Sequence, residues 1–146
     1  MSSVVVTLAM TDILSVMDRH SLDFGYCLEL NGGMDKFKVL YYKDENGNCD
    51  VLDFIFKSQK EVQSKIYNQI RHLKEFGLSR INPSVRKLSN TPFWEARILG
   101  KDNIRLFCTI VDSQIVIFHI FSKKQQKTPI REIKMALKRY NELVDK

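Results

Sequence analysis

The chain has 146 residues, 44% of them hydrophobic and 27% charged, enough for one ordinary domain and too few for two comfortable ones. That composition excludes a disordered or collagen-like polymer, and no apolar run reaches the roughly 18 residues that a bilayer-spanning helix needs. The net charge of +6 is uneven: residues 1–33 carry Arg19 against Asp12, Asp18, Asp23 and Glu29, a charge of −3, so the remainder carries +9. Such a field draws polyanions, whether nucleic acid, anionic membrane or acidic protein, without choosing among them.

Ser3 to Met10 is apolar, but no Lys or Arg precedes it and Asp12 follows at once, which makes a poor secretory signal. A cytoplasmic protein is expected. Thr11-Asp12 reads as the cap of a short helix through Met17, and Asn31-Gly32-Gly33 breaks any structure. From Met34 the chain reads as the natural beginning of a domain. Residues 1–33 are therefore expected to be an appended extension or an overcalled translation start, and residues 34–146 the domain.

Phe37 to Tyr42, rich in β-branched and aromatic residues, predicts a first strand. The cluster Asp44-Glu45-Asn46-Gly47-Asn48 predicts a turn. Asp50 to Lys57 reads as a short helix with Val51, Phe54 and Ile55 on one face. Ser58 and Glu61 have the spacing of a capping box. It would open a longer helix, on which Val62, Ile66, Ile70, Leu73 and Phe76 recur at helical spacing and which Gly77 ends. Phe93–Leu99, Ile104–Val111 and Ile115–Phe121 then predict three strands. Tight turns at Lys101-Asp102-Asn103 and Asp112-Ser113 make them an antiparallel meander. Pro129 opens a last helix with Ile130, Ile133, Leu137, Tyr140 and Val144 on its apolar face. Strand, two helices, three strands and helix is an α+β order.

Residues two apart in a strand share a face. Phe93, Glu95, Arg97 and Leu99 therefore point one way, Arg105 sides with Phe107 and Thr109, and His119 with Phe121 and, in continued extension, Lys123. The opposite face carries Ile104, Leu106, Cys108, Ile110, Val116, Phe118 and Ile120, a set fit to pack against helices. With the simplest registers Arg97, Arg105, His119 and Lys123 converge, with Phe107 and Phe121 among them. RNA suits such a surface: cations meet phosphate oxygens and rings stack on unpaired bases. Cleavage suits it too. Attack of a 2′-hydroxyl on its phosphate needs a base, cations around the charged phosphorane and an acid at the leaving oxygen. His119 titrates in the right range, and clustered like charges lower a Lys toward it.

Singly, each residue has a plainer reading. An Arg at a sheet edge is usually solvated or salt-bridged, a lone strand His is usually a packing residue, and Lys123-Lys124 is usually a solvated pair. Their joint placement is what favours a site. His20 and His72 have no companions. Cys27, Cys49 and Cys108 form neither a disulfide framework nor a metal-ligand spacing, and Cys108 in an apolar strand reads as packing. No metal or other cofactor is expected.

The segments KVLYYKDENGNCDVLDFI, VRKLSNTPFWEARI with IRLFCTI, and IVIFHIFSKKQQKTPIREIKMA together resemble the HigB-like, phage-derived host-inhibition branch of the RelE/ParE toxin superfamily. The last segment is close to that family's His-x-Phe-x-Lys-Lys-x-x-Lys-x-Pro run before a helix with an early Glu, and it is the most specific. Ala96 departs from the Leu usual there, a packing change that leaves Arg97 in place. The resemblance covers Met34 to Val144, about three-quarters of the chain. It implies a RelE-like fold and an endoribonuclease (mRNA interferase) toxin of a type II toxin–antitoxin system. It further implies action on ribosome-bound mRNA without a metal, and neutralisation by a cognate antitoxin, a HigA-like helix-turn-helix protein. By position it assigns Arg97 and Arg105 to the scissile phosphate, His119 or Lys124 to proton transfer, and Phe121, Lys123, Lys127 and Phe107 to RNA contact. A catalytically silent RNA- or ribosome-binding relative, and a basic adaptor for an acidic protein, are the alternatives.

Overall fold

The computed structural model describes residues 36–145, so the helix expected at Thr11 to Met17, Cys27 and the extension at 1–33 lie outside the described residues. The elements run β1 (Val39–Tyr41), α1 (Asp50–Lys57), α2 (Lys60–Phe76), β2 (Val85–Lys87), β3 (Trp94–Ile98), β4 (Ile104–Val111), β5 (Gln114–Ser122) and α3 (Ile130–Val144). Among the described residues this is an α+β fold of three helices on one five-stranded mixed sheet, in the order β1-β5-β4-β3-β2. The expected meander is its centre, β3 to β5. Two features lie beyond that expectation: β1 joins parallel to β5, and β2 adds an antiparallel edge next to β3.

Local chemistry accounts for most boundaries. Asp44 Oδ1 accepts the amides of Asn46 and Asn48 at 2.9 and 2.8 Å, and Gly47 takes φ +84°, so the turn closes on its own carboxylate. Gly77 ends α2 at φ +71°, its N–H on the Leu73 carbonyl at 2.8 Å. A Cβ there would come within 2.7 Å of the Phe37 ring, so strain and space both demand glycine. The β4–β5 turn puts Asp112 and Ser113 at φ +50° and +66°, the double left-handed geometry that matches strand twist. The expected capping box does not form. Ser58 closes α1 instead, its Oγ donating to the Phe54 carbonyl at 2.7 Å, and α2 starts after Gln59 with no side-chain cap. The two helices are too close for Ser58 to serve both.

Two faces of the sheet are buried in different ways. Ala96, Ile98, Ile104, Leu106 and Ile120 are buried with Val51, Leu52 and Ile55 of α1 and Ile66, Ile70 and Leu73 of α2. On the other face lies α3, with Tyr140 against Phe93 and Phe118 at 5.9 and 5.7 Å between ring centroids. A register shift decides which β5 residues reach that face. Pairing is simple from Ile104↔Ser122 to Phe107↔His119, and then Cys108 faces Ile117, leaving Phe118 as the extra residue of a bulge. Val116 pairs with Thr109, and the Phe118 ring meets Phe93 and Tyr42 at 5.8 Å each. The expected grouping of Val116 and Phe118 with Ile104 and Leu106 is thus corrected: Ile115 and Ile117 occupy that face, opposite Ile110 and Cys108. Among the described residues no helix is long and apolar enough to cross a membrane.

Candidate nucleic-acid interface

On the face that α3 partly covers, β2, β3 and β4 bring three guanidiniums to one carboxylate. The registers place Arg86 opposite Glu95 and Arg97 opposite Arg105. Glu95 is fully buried. Its Oε1 accepts from Arg86 Nη2 at 3.3 Å and lies 3.6 Å from Nε of both Arg97 and Arg105. Thr128, just before α3, donates its hydroxyl to Oε2 at 2.9 Å. At 3.6 Å the latter two contacts are ion pairs without a hydrogen bond, and the buried Nε atoms of Arg97 and Arg105 have no acceptor. Arg105 is itself buried, with Nη1 donating to the Ile104 carbonyl at 3.1 Å. Burial pushes its pKa down, Glu95 pulls it back up, and Arg97 and Arg86 push it down again. Buried guanidinium N–H groups held only by long ion pairs are costly, and the exposed parts of Arg86 and Arg97 are what an oxyanion can meet.

The second polar cluster sits at the α3 end. His119 Nδ1 faces Arg139 Nη1 at 3.1 Å. A guanidinium only donates, so Nδ1 is the acceptor and the ring proton is on Nε2, which donates to Glu132. His119 is therefore neutral. Burial is the largest cause lowering its pKa, opposed by its bond to Glu132, with Arg139 lowering it further. Arg139, also buried, donates to the Phe118 carbonyl at 2.8 Å and to Asp50 of α1. One guanidinium thus ties α3, β5 and α1 together.

The two clusters are joined by rings. Phe121 stands opposite Arg105 and stacks on His119 at 5.5 Å and 21°. Phe107 lies opposite His119, 5.1 Å from the Phe121 ring. Phe107 is fully buried and Phe121 nearly so, at 6% exposure. They form the floor between the clusters, and the Phe107 ring has no open face for a base. Lys123 is buried, its N–H on the Asn103 carbonyl at 2.9 Å. Lys124 and Lys127 are exposed on the same loop.

The structure therefore brings Arg97, Arg105, Phe107, His119 and Phe121 onto one face, as alternation predicts. It leaves Lys124 and Lys127 exposed at the rim. Arg86 escapes sequence reasoning because three-residue β2 shows no alternation. Glu95 is read there only as a neighbour of Arg97, although a lone acid sharing a face with basic residues is the signal that marks it. Arg139 carries no local mark in the sequence, since its partners come from β5 and α1. Among the described residues no three His, Cys, Asp or Glu side chains gather as a cation site.

Two open grooves, of about 370 Å³ between the Asp44–Asn48 turn and α3 and about 490 Å³ beside the start of α2, lie apart from Arg86, Arg97 and Arg105. No curated protein matches the chain. The family model described as "Phage derived protein Gp49-like (DUF891)" matches residues 53–141, which include Glu95, all three arginines around it, His119, Glu132 and Arg139. The match spans more than half of the sequence, and the chain belongs to this phage-derived Gp49-like family.

Proposed function

We propose that this chain is the toxin of a type II toxin–antitoxin system, a RelE-like, HigB-like endoribonuclease that cuts ribosome-bound mRNA. The observation that carries the reading is the gathering of Arg86, Arg97 and Arg105 around one buried carboxylate, with the Arg86 and Arg97 side chains 53% and 39% exposed. A phosphodiester oxygen finds donors at the exposed guanidinium groups, and charge developing on the phosphorane strengthens those bonds. Membership of a phage-derived family and the His119-to-Pro129 run support the toxin assignment.

In this scheme Arg97 and Arg105 grip the scissile phosphate, and Arg86 extends the cationic surface to the sheet edge. The 2′-hydroxyl attacks phosphorus, its proton leaves to a basic side chain, and the departing 5′-oxygen takes a proton from an acidic one. His119 donates its Nε2 proton to Glu132, and this ring is one candidate proton carrier. Lys124, exposed on the adjoining loop, is the other proton carrier. Lys123 and Lys127 add charge along the path of the strand, and Phe107 and Phe121 shape the floor. The reaction as drawn uses side chains alone, and it should persist in EDTA. The partner is a HigA-like helix-turn-helix antitoxin, and the protein acts in the cytoplasm.

Induced expression tests the reading. Growth arrest with cleaved transcripts, abolished by Arg105→Ala, supports it. Arrest with intact transcripts supports a silent RNA- or ribosome-binding relative instead. An adaptor for an acidic protein would bind that protein in preference to RNA.

A further inference from the structure

A fully buried carboxylate at the centre of a site for anions needs a physical reason, because it repels the ligand the site is meant to hold. Glu95 carries that charge with no exposure, against side-chain exposures of 53% for Arg86, 39% for Arg97 and 8% for Arg105. Three guanidiniums crowded at one point repel one another, and the most buried of them, Arg105, is the one whose charge burial disfavours. Glu95 offsets that repulsion. Its geometry stops short of consuming the guanidiniums, since it faces Arg97 and Arg105 through Nε at 3.6 Å while the Arg86 and Arg97 side chains stay part-exposed. Its second oxygen is anchored by Thr128, which fixes the carboxylate from the far side.

We propose that Glu95 is a positioning residue that works as a built-in counter-charge. It gathers Arg86, Arg97 and Arg105 around one phosphodiester while lowering the formal charge of the cluster from +3 to +2. Orientation is gained at the expense of grip. The inference rests on the reading of this face as an RNA-phosphate site, and it makes a claim that a merely structural carboxylate does not: binding and cleavage should move in opposite directions when the charge is removed.

The experiment titrates the full chain with a fluorescent single-stranded RNA blocked by 2′-O-methyl groups, over a series of salt concentrations. Cleavage of translated mRNA is measured in parallel. Glu95→Gln should bind the blocked RNA roughly threefold to tenfold more tightly and with steeper salt dependence, yet cleave at least about tenfold more slowly because the arginines lose their common anchor. Should that variant not fold, Arg86→Gln combined with Glu95→Gln restores the cluster to +2 and relieves the crowding. Its affinity should return to within about twofold of the wild-type chain, with cleavage still lost. Binding by Glu95→Gln that is equal to or weaker than wild type, at an unchanged melting temperature, overturns the inference, as does wild-type cleavage by the double variant. Failure of the wild-type chain itself to bind the blocked RNA at low salt overturns the phosphate site as well, which separates the two claims.

Discussion

Two charged clusters share one face of the sheet and differ in how completely they are satisfied. At the α3 end, Arg139 reaches the Phe118 carbonyl, His119 and Asp50, and both nitrogens of His119 are engaged. At the other end, three guanidiniums share Glu95, and two of them keep a buried Nε without an acceptor. The first cluster is hydrogen-bonded throughout, and the second is held in part by longer ion pairs. A saturated network holds elements together, whereas an under-satisfied one is poised for an outside partner. The difference separates Arg139, which ties the fold together, from Arg97 and Arg105, which the proposed reading sets on RNA phosphate.

That division breaks first at Arg105. Arg105→Ala should cut mRNA cleavage about 100-fold to 1,000-fold, the usual cost of one lost donor to a developing oxyanion, while the chain stays folded by circular dichroism. Arg139→Ala should do the reverse. Losing the link between α3, β5 and α1 should cost about 2–3 kcal/mol, read as a lower denaturation midpoint. Any RNA binding left in the folded fraction should match wild type. If Arg105→Ala unfolds the chain and Arg139→Ala spares it, the assignment of the two clusters is reversed.

A smaller effect comes from pH. The pKa of His119 is lowered from its ordinary 6.5, chiefly by burial, so between the two values the unfolded chain binds more protons than the folded one. Its contribution to stability is complete above 6.5 and is lost as pH falls through the folded value. Melting temperatures measured from neutrality down to about pH 5 should decline, and His119→Gln should flatten that decline. The smallest effect belongs to the rim. Lys127→Ala should weaken RNA binding about twofold to threefold and reduce the salt slope by about 0.7, with no change in melting temperature.

The sequence was informative where the signal is local. Alternation along β3, β4 and β5 places Arg97 beside Arg105 and His119 beside Phe107, and the period of α2 and its end at Gly77 follow from spacing and backbone freedom. What stayed hidden depends on partners distant in sequence. The three residues of β2 become a strand only because β3 offers them an edge. The bulge that turns Phe118 toward Tyr140 depends on packing between β5 and α3, which no alternating pattern records. Ser58 has the spacing of an N-terminal cap yet closes the C-terminus of α1. In the site, cations were easy to find and the roles of Glu95 and Arg139 were not, because a residue's partners decide whether its charge is held or offered.

The central claim is that Arg97 and Arg105 hold an RNA phosphate. The direct measurement is the affinity of Arg97→Ala/Arg105→Ala for a blocked single-stranded RNA across salt concentrations, beside its thermal stability. The account predicts at least about tenfold weaker binding and a salt slope reduced by about 1 to 2, in a chain that remains folded. An affinity and slope equal to those of the wild-type chain would contradict it.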